Sequence, residues 1–297
     1  MVRFLSGTLL AGASIAVLAN LVSLSVAQEV LTGAPALAGT EARVSGALSV
    51  QDTGPLERTF AFTMSDLATG NRVINYEEEL TQELHVIAVD DALLTFVHEH
   101  TEEADAEGRF SVKVRFPKPG LYHVYADAAP AGMGQQVLRF DVPVGEAPPA
   151  IRLSQPQGEG ILESSDGPYT VELAAPDLTA GKEAELKLRI LSGGRPAEDL
   201  APYLGVPAHA VFIAARDLAY VHAHATAAEA EQPPHGSATH GAHGGHGAAS
   251  TAGAVPPELT VHVTPPAAGA YALWVQFIGG GEVRTVPFTL RVSEAGL

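Results

Sequence analysis

The fold is decided by "LHVIAVDDALLTFVHEH" (residues 84–100), because "AHAVFIAARDLAYVHAH" (residues 208–224) repeats it in register. His85, His98 and His100 superpose on His209, His222 and His224 at a constant offset of 124 residues. Farther on, "FSVKVRFPKPGLYHVY" (110–125) matches "LTVHVTPPAAGAYALW" (259–274) at an offset of 149, so the second copy carries 25 extra residues between His224 and Leu259. The chain therefore contains one unit twice. Each copy of the stretch reads as two apolar strands around a short polar turn, a β-hairpin with "DDAL" at its tip in the first copy.

Strand patterning continues outward from the hairpins. In "RTFAFTMS" (58–65) Phe60, Phe62 and Met64 alternate with small or polar residues, and in "EAELKLRI" (183–190) Ala184, Leu186, Leu188 and Ile190 alternate with charged ones. Such runs bury one face and wet the other. Gly and Pro clusters ("DTGP", "ATGN", "PKPG", "SGGRP", "IGGG") separate them, and long helical patterns are missing. About seven short strands per hundred-odd residues is the signature of an immunoglobulin-like β-sandwich. "PGLYHVY" and "AGAYALW" each set a Tyr two residues after a Gly, resembling a tyrosine corner. The expected class is all-β, with two tandem immunoglobulin-like sandwiches at 41–146 and 168–293, joined by a Pro- and Gly-rich linker at 147–167.

The N-terminus reads differently. Arg3, the apolar run Phe4–Val26 and "SVA" at 25–27 have the form of a signal peptide spanning 1–27 and cleaved after Ala27; an uncleaved membrane anchor is the alternative. Both place the body in a periplasmic or secreted location. The chain has no cysteine, so soft-metal chemistry falls to His, Met and carboxylates. A formal charge of −17 argues against nucleic acid and is compatible with attracting cations.

Pairing arithmetic gives the histidines a common address. A turn centred between Asp91 and Ala92 sets His85 directly opposite His98, with His100 two residues on and on the same face. Opposed Cβ atoms lie roughly 5 Å apart and diagonal ones about 7–8 Å. The same rule brings His209, His222 and His224 together. Ile87 and Phe96, and in the second copy Val211, Ile213 and Tyr220, share those faces, so the histidines are expected where a sandwich core opens to solvent. Three neutral imidazoles suit copper, with zinc or nickel as alternatives. Two further candidate ligands lie nearby: His123 in "LYHVY", matched by Ala272 in copy two, and Met133 in the Gly-flanked "AGMGQQ". The insert at 229–254 adds His235, His240, His243 and His246 among Gly, Ala and Ser, a composition that cannot bury a core and reads as a weak collector of several ions.

The pattern "LHVIAVDDALLTFVHEHT…GRFSVKVRFPKPGLYHVYAD" resembles the YtkA-like and related secreted bacterial domains, whose sandwich is similar to that of CopC-type periplasmic copper proteins. The likeness covers 44–144 and 168–293. It implies an exported metal-handling role with copper as the leading ion, and another envelope metal-handling protein as a partner. A CopC-type amino-terminal histidine is missing, since a chain cleaved after Ala27 begins with Gln28.

No Gly-rich phosphate loop, nucleophile elbow or cysteine nucleophile is present, so an enzyme is not expected. Two readings remain. One is an exported protein that binds copper for storage or delivery through the three-His clusters; the other is a non-catalytic envelope interaction protein whose histidines are structural or pH-sensitive. Metal ions are the expected partners, and membrane contact only through an uncleaved N-terminal segment.

Overall fold

The computed structural model describes residues 28–146, 160–174, 177–228 and 254–296. The expected signal segment 1–27, most of the expected linker and the insert histidines His235, His240, His243 and His246 lie outside the described residues. The first repeat contains β1 (Gln28–Thr32), β2 (Ala34–Pro35), β3 (Val44–Gly54), β4 (Glu57–Asp66), β5 (Tyr76–Glu77), β6 (Leu84–Asp90), β7 (Phe96–His100), β8 (Arg109–Arg115), β9 (Gly120–Pro130) and β10 (Gln136–Val144). The second contains β11 (Ile161–Asp166), β12 (Tyr169–Ala174), β13 (Leu178–Thr179), β14 (Ala184–Ser192), β15 (Arg195–Pro196), β16 (Leu200–Ala201), β17 (Ala208–Ala214), β18 (Tyr220–Ala227), β19 (Glu258–Val263), β20 (Gly269–Gly279) and β21 (Glu282–Ser293).

The fold is all-β, as the alternation predicts. In the first repeat the sheet β1-β3-β4-β8 faces the sheet β2-β10-β9-β6-β7. Phe60, Phe62 and Met64 of β4 point into the space between them and meet Val86 and Ala88 of β6 and Phe140 of β10. The second repeat runs β11-β12-β14-β19 and β18-β17-β20-β21-β13 in the same way, but Ala225–Ala227 pair with Leu259–Val261 and join the two sheets at one edge. Both tyrosine corners form: Tyr122 donates to the Lys118 carbonyl and Tyr271 to the Ala267 carbonyl, each at 2.9 Å.

The boundaries fall earlier than the sequence suggests. β1 pairs with β3 and β2 with β10, so the first sandwich starts upstream of residue 41. β11 lies inside the span expected to be linker; it pairs with β12 and sends Leu162 into the second core. With one buried side chain in "ILESSD", this edge strand is held mainly by backbone hydrogen bonds, which leave no alternation to read.

A third apolar layer fixes the two repeats against each other. β6 and β17 are buried at every position. Leu84, Val86 and Ala88 face the first sandwich core, while Ile87 and Val89 face away from it and pack with Tyr125, Val211, Ile213, Tyr220 and Trp274. Tyr125 stacks on Tyr220 at 5.1 Å and Phe96 on Trp274 at 5.0 Å between ring centroids. Tyr125 also donates to the Leu218 carbonyl at 3.0 Å. The hairpin faces that carry the histidines thus look at each other across the domain interface instead of opening from a sandwich core to solvent.

Candidate metal centre

Each triad is built by one hairpin, in a register two residues from the expected one. His85 pairs with His100, and His98 lies opposite Ile87; in the second copy His209 pairs with His224 and His222 lies opposite Val211. The turn is longer than a tight "DDAL" turn: Asp90 Oδ1 accepts from the Leu94 and Thr95 amides, both at 2.7 Å, and Leu93 adopts φ 57°. A shift of two residues preserves the face of every side chain. The convergence therefore survives the register error: His85, His98 and His100 form one group that could hold a metal, and His209, His222 and His224 another. The ligand nitrogens of each group lie within 4.8 Å of one another.

Hydrogen bonds on the far side of His85, His98, His209 and His222 fix which nitrogen of each faces inward. His85 Nε2 lies 3.0 Å from the Glu79 carbonyl, which only accepts, so Nδ1 presents a lone pair. His98 Nδ1 lies 2.6 Å from Gln276 Oε1, whose amide nitrogen donates to Thr285 Oγ1, so His98 Nε2 presents another. These two lone-pair nitrogens stand 3.3 Å apart, and His100 Nε2 is 3.1 Å from His98 Nε2. The second copy repeats the device. His209 Nε2 donates to the Tyr203 carbonyl at 3.1 Å, His222 Nδ1 donates to Asp127 Oδ2 at 3.1 Å, and His209 Nδ1 and His222 Nε2 face each other at 3.1 Å. Nitrogens that face each other as acceptors need a cation or a proton between them.

Protonation is opposed by the surroundings. Burial, and then the neighbouring His222, lowers the pKa of His85; burial lowers His98 well below the ordinary histidine range and lowers His100 to about 4. His209 is depressed by the same cause. Asp127 is the counterweight. Burial works to raise its pKa, yet the hydrogen bond and charge of His222 hold it below the usual carboxylate value. It is 1% exposed and also accepts from Tyr220 at 2.9 Å and from Gln135 at 2.9 and 3.0 Å. A buried carboxylate beside the imidazoles favours the entry of positive charge.

The remaining candidates go elsewhere. His123 does not join a triad: its Nδ1 lies 2.7 Å from Asp141 and its Nε2 3.1 Å from Asp91, so both nitrogens are committed to carboxylates. Met133 packs against the first sandwich core, on the other face of the sheet that bears the histidines. Sequence reasoning missed Asp127, Gln276 and the carbonyls of Glu79 and Tyr203. The offset of 149 places Asp127 on Gln276, polar residues in two buried strands, and that coincidence was the available signal.

The model of a family described as a domain of unknown function (DUF8832) matches residues 37–146 and 163–294. The chain belongs to that family. The two DUF8832 segments cover most of the two sandwiches and each contains one triad. A comparison with curated proteins finds no match.

Proposed function

We propose that this DUF8832 chain is an exported metal-binding protein that holds Cu(II) for storage or delivery, one ion at each three-His group. The observation that carries the reading is the pair of inward-facing imidazole lone pairs in each hairpin, 3.3 Å apart in the first and 3.1 Å in the second. Neutral imidazole suits Cu(II), Ni(II) and Zn(II), and at nitrogen sites Cu(II) binds the most tightly of the three. Cysteine is absent from the chain, and the two groups of converging ligand atoms consist of imidazoles alone. Export rests on the signal-like segment 1–27, and the recipient of the ion is another envelope metal-handling protein.

Calorimetric titration of the metal-free protein with Cu(II), Zn(II) and Ni(II) tests this. The expected result is two saturable equivalents that persist when 229–254 is deleted, one of which is lost in His98→Ala/His100→Ala. Absence of saturable binding, or loss of all binding with the insert, overturns it.

A further inference from the structure

In each triad one outer ring nitrogen is held by a partner from the other domain, and the exchange is reciprocal. His98 of the first repeat is held by Gln276 of the second, at 2.6 Å; His222 of the second is held by Asp127 of the first, at 3.1 Å. His98 and His222 are equivalent positions, and so are Asp127 and Gln276. Each of these partners sits opposite the other histidine of its own repeat, Asp127 against His85 in the β6–β9 pairing and Gln276 against His209 in the β17–β20 pairing. The rings are correspondingly close across the interface: His85 lies 5.6 Å from His222 and 6.3 Å from His209, and His98 lies 6.0 Å from His209. Within a triad the centroid separations run from 4.5 to 5.5 Å, so the boundary between the domains hardly interrupts the cluster.

We propose that the six histidines form one interdomain centre for two metal ions, wired crosswise, in which Asp127 makes the second-repeat triad the tighter site and Gln276 leaves the first-repeat triad the weaker one. This rests on the metal-binding reading above. A carboxylate behind a metal-bound imidazole orients the ring and raises its donor strength, and replacing such a partner typically costs 10–100-fold in affinity. Gln276 supplies the orientation without the charge. Neither sandwich holds a complete centre alone, because the group that aims one histidine of each triad belongs to its neighbour.

The test uses the full chain with His235, His240, His243 and His246 replaced by Ala, titrated with Zn(II) by calorimetry and chelator competition. Two steps of different affinity are expected, the tighter lost in His222→Ala/His224→Ala and the weaker in His98→Ala/His100→Ala. Asp127→Asn, a change in the first repeat, weakens the second-repeat step by about 10–100-fold. Gln276→Glu tightens the first-repeat step, a gain that damage to the fold does not produce. If Asp127→Asn acts chiefly on the first-repeat step, if the two steps are equal, or if Gln276→Glu leaves the weaker step unmoved, the crosswise wiring is overturned while the metal-binding reading stands. A protein that takes up no Zn(II), Cu(II) or Ni(II) overturns both.

Discussion

His85, His98 and His100 are neutral by virtue of burial, and His100 takes its proton only near pH 4. In the unfolded chain the same side chains protonate near pH 6.5. Between those limits the unfolded state binds more protons than the folded one, so the stability of the metal-free protein falls as pH is lowered. Urea midpoints of metal-free protein should hold steady above about pH 7 and decline from pH 6.5 towards 4, less steeply in His98→Ala/His100→Ala; a flat profile through that window would falsify the assignment of neutral, buried rings. At this scale the six histidines were legible because strand alternation has a period of two, so a register misplaced by two residues still puts His98 and His100 beside His85. The carbonyls that fix the tautomers were not legible. Glu79 and Tyr203 are equivalent positions with unrelated side chains, and the backbone, which the sequence does not spell, makes the contact.

Those carbonyls are held by a small element that recurs in both repeats. Glu79 and Gln82 exchange backbone hydrogen bonds at 2.8 and 3.1 Å, as Tyr203 and Val206 do at 2.8 and 3.2 Å, each around two residues with positive φ. The central pairs are Leu80 and Thr81 in one copy and Leu204 and Gly205 in the other. A β-branched residue in the left-handed region is strained by about 1–3 kcal/mol. Thr81 is exposed and has φ 68°, where the second copy has Gly. Thr81→Gly should therefore stabilise the protein by about 1 kcal/mol, after the added flexibility of the unfolded chain is offset. Chemical denaturation measures the gain, and metal affinity should stay as it was; a loss of stability would show that the threonine is not strained. The hairpins themselves were readable as strands, yet one property of them was overlooked. "LHVIAVD" has apolar side chains on both faces, the mark of a strand covered on both sides, and that is the trace the domain interface leaves in the sequence.

The molecule as a whole carries its own reporter of this interface. Its single tryptophan, Trp274, is 2% exposed, lies in the layer between the sandwiches and stacks on Phe96, two residues before His98. Binding of Cu(II), an open-shell ion, should quench Trp274 emission strongly, whereas Zn(II), with its filled d shell, should leave most of it intact. Unchanged emission at saturating Cu(II) would place the ion away from the triads. The relation between the repeats is that of a two-fold dimer written into one polypeptide, with the same patch used twice. Two separate copies of a single repeat would necessarily present the same residue behind both triads, so any substitution there would alter both halves together. Covalent linkage removes that constraint. One half carries Asp127 and the other Gln276, an inequality of charge that two identical subunits related by strict symmetry are forbidden to have.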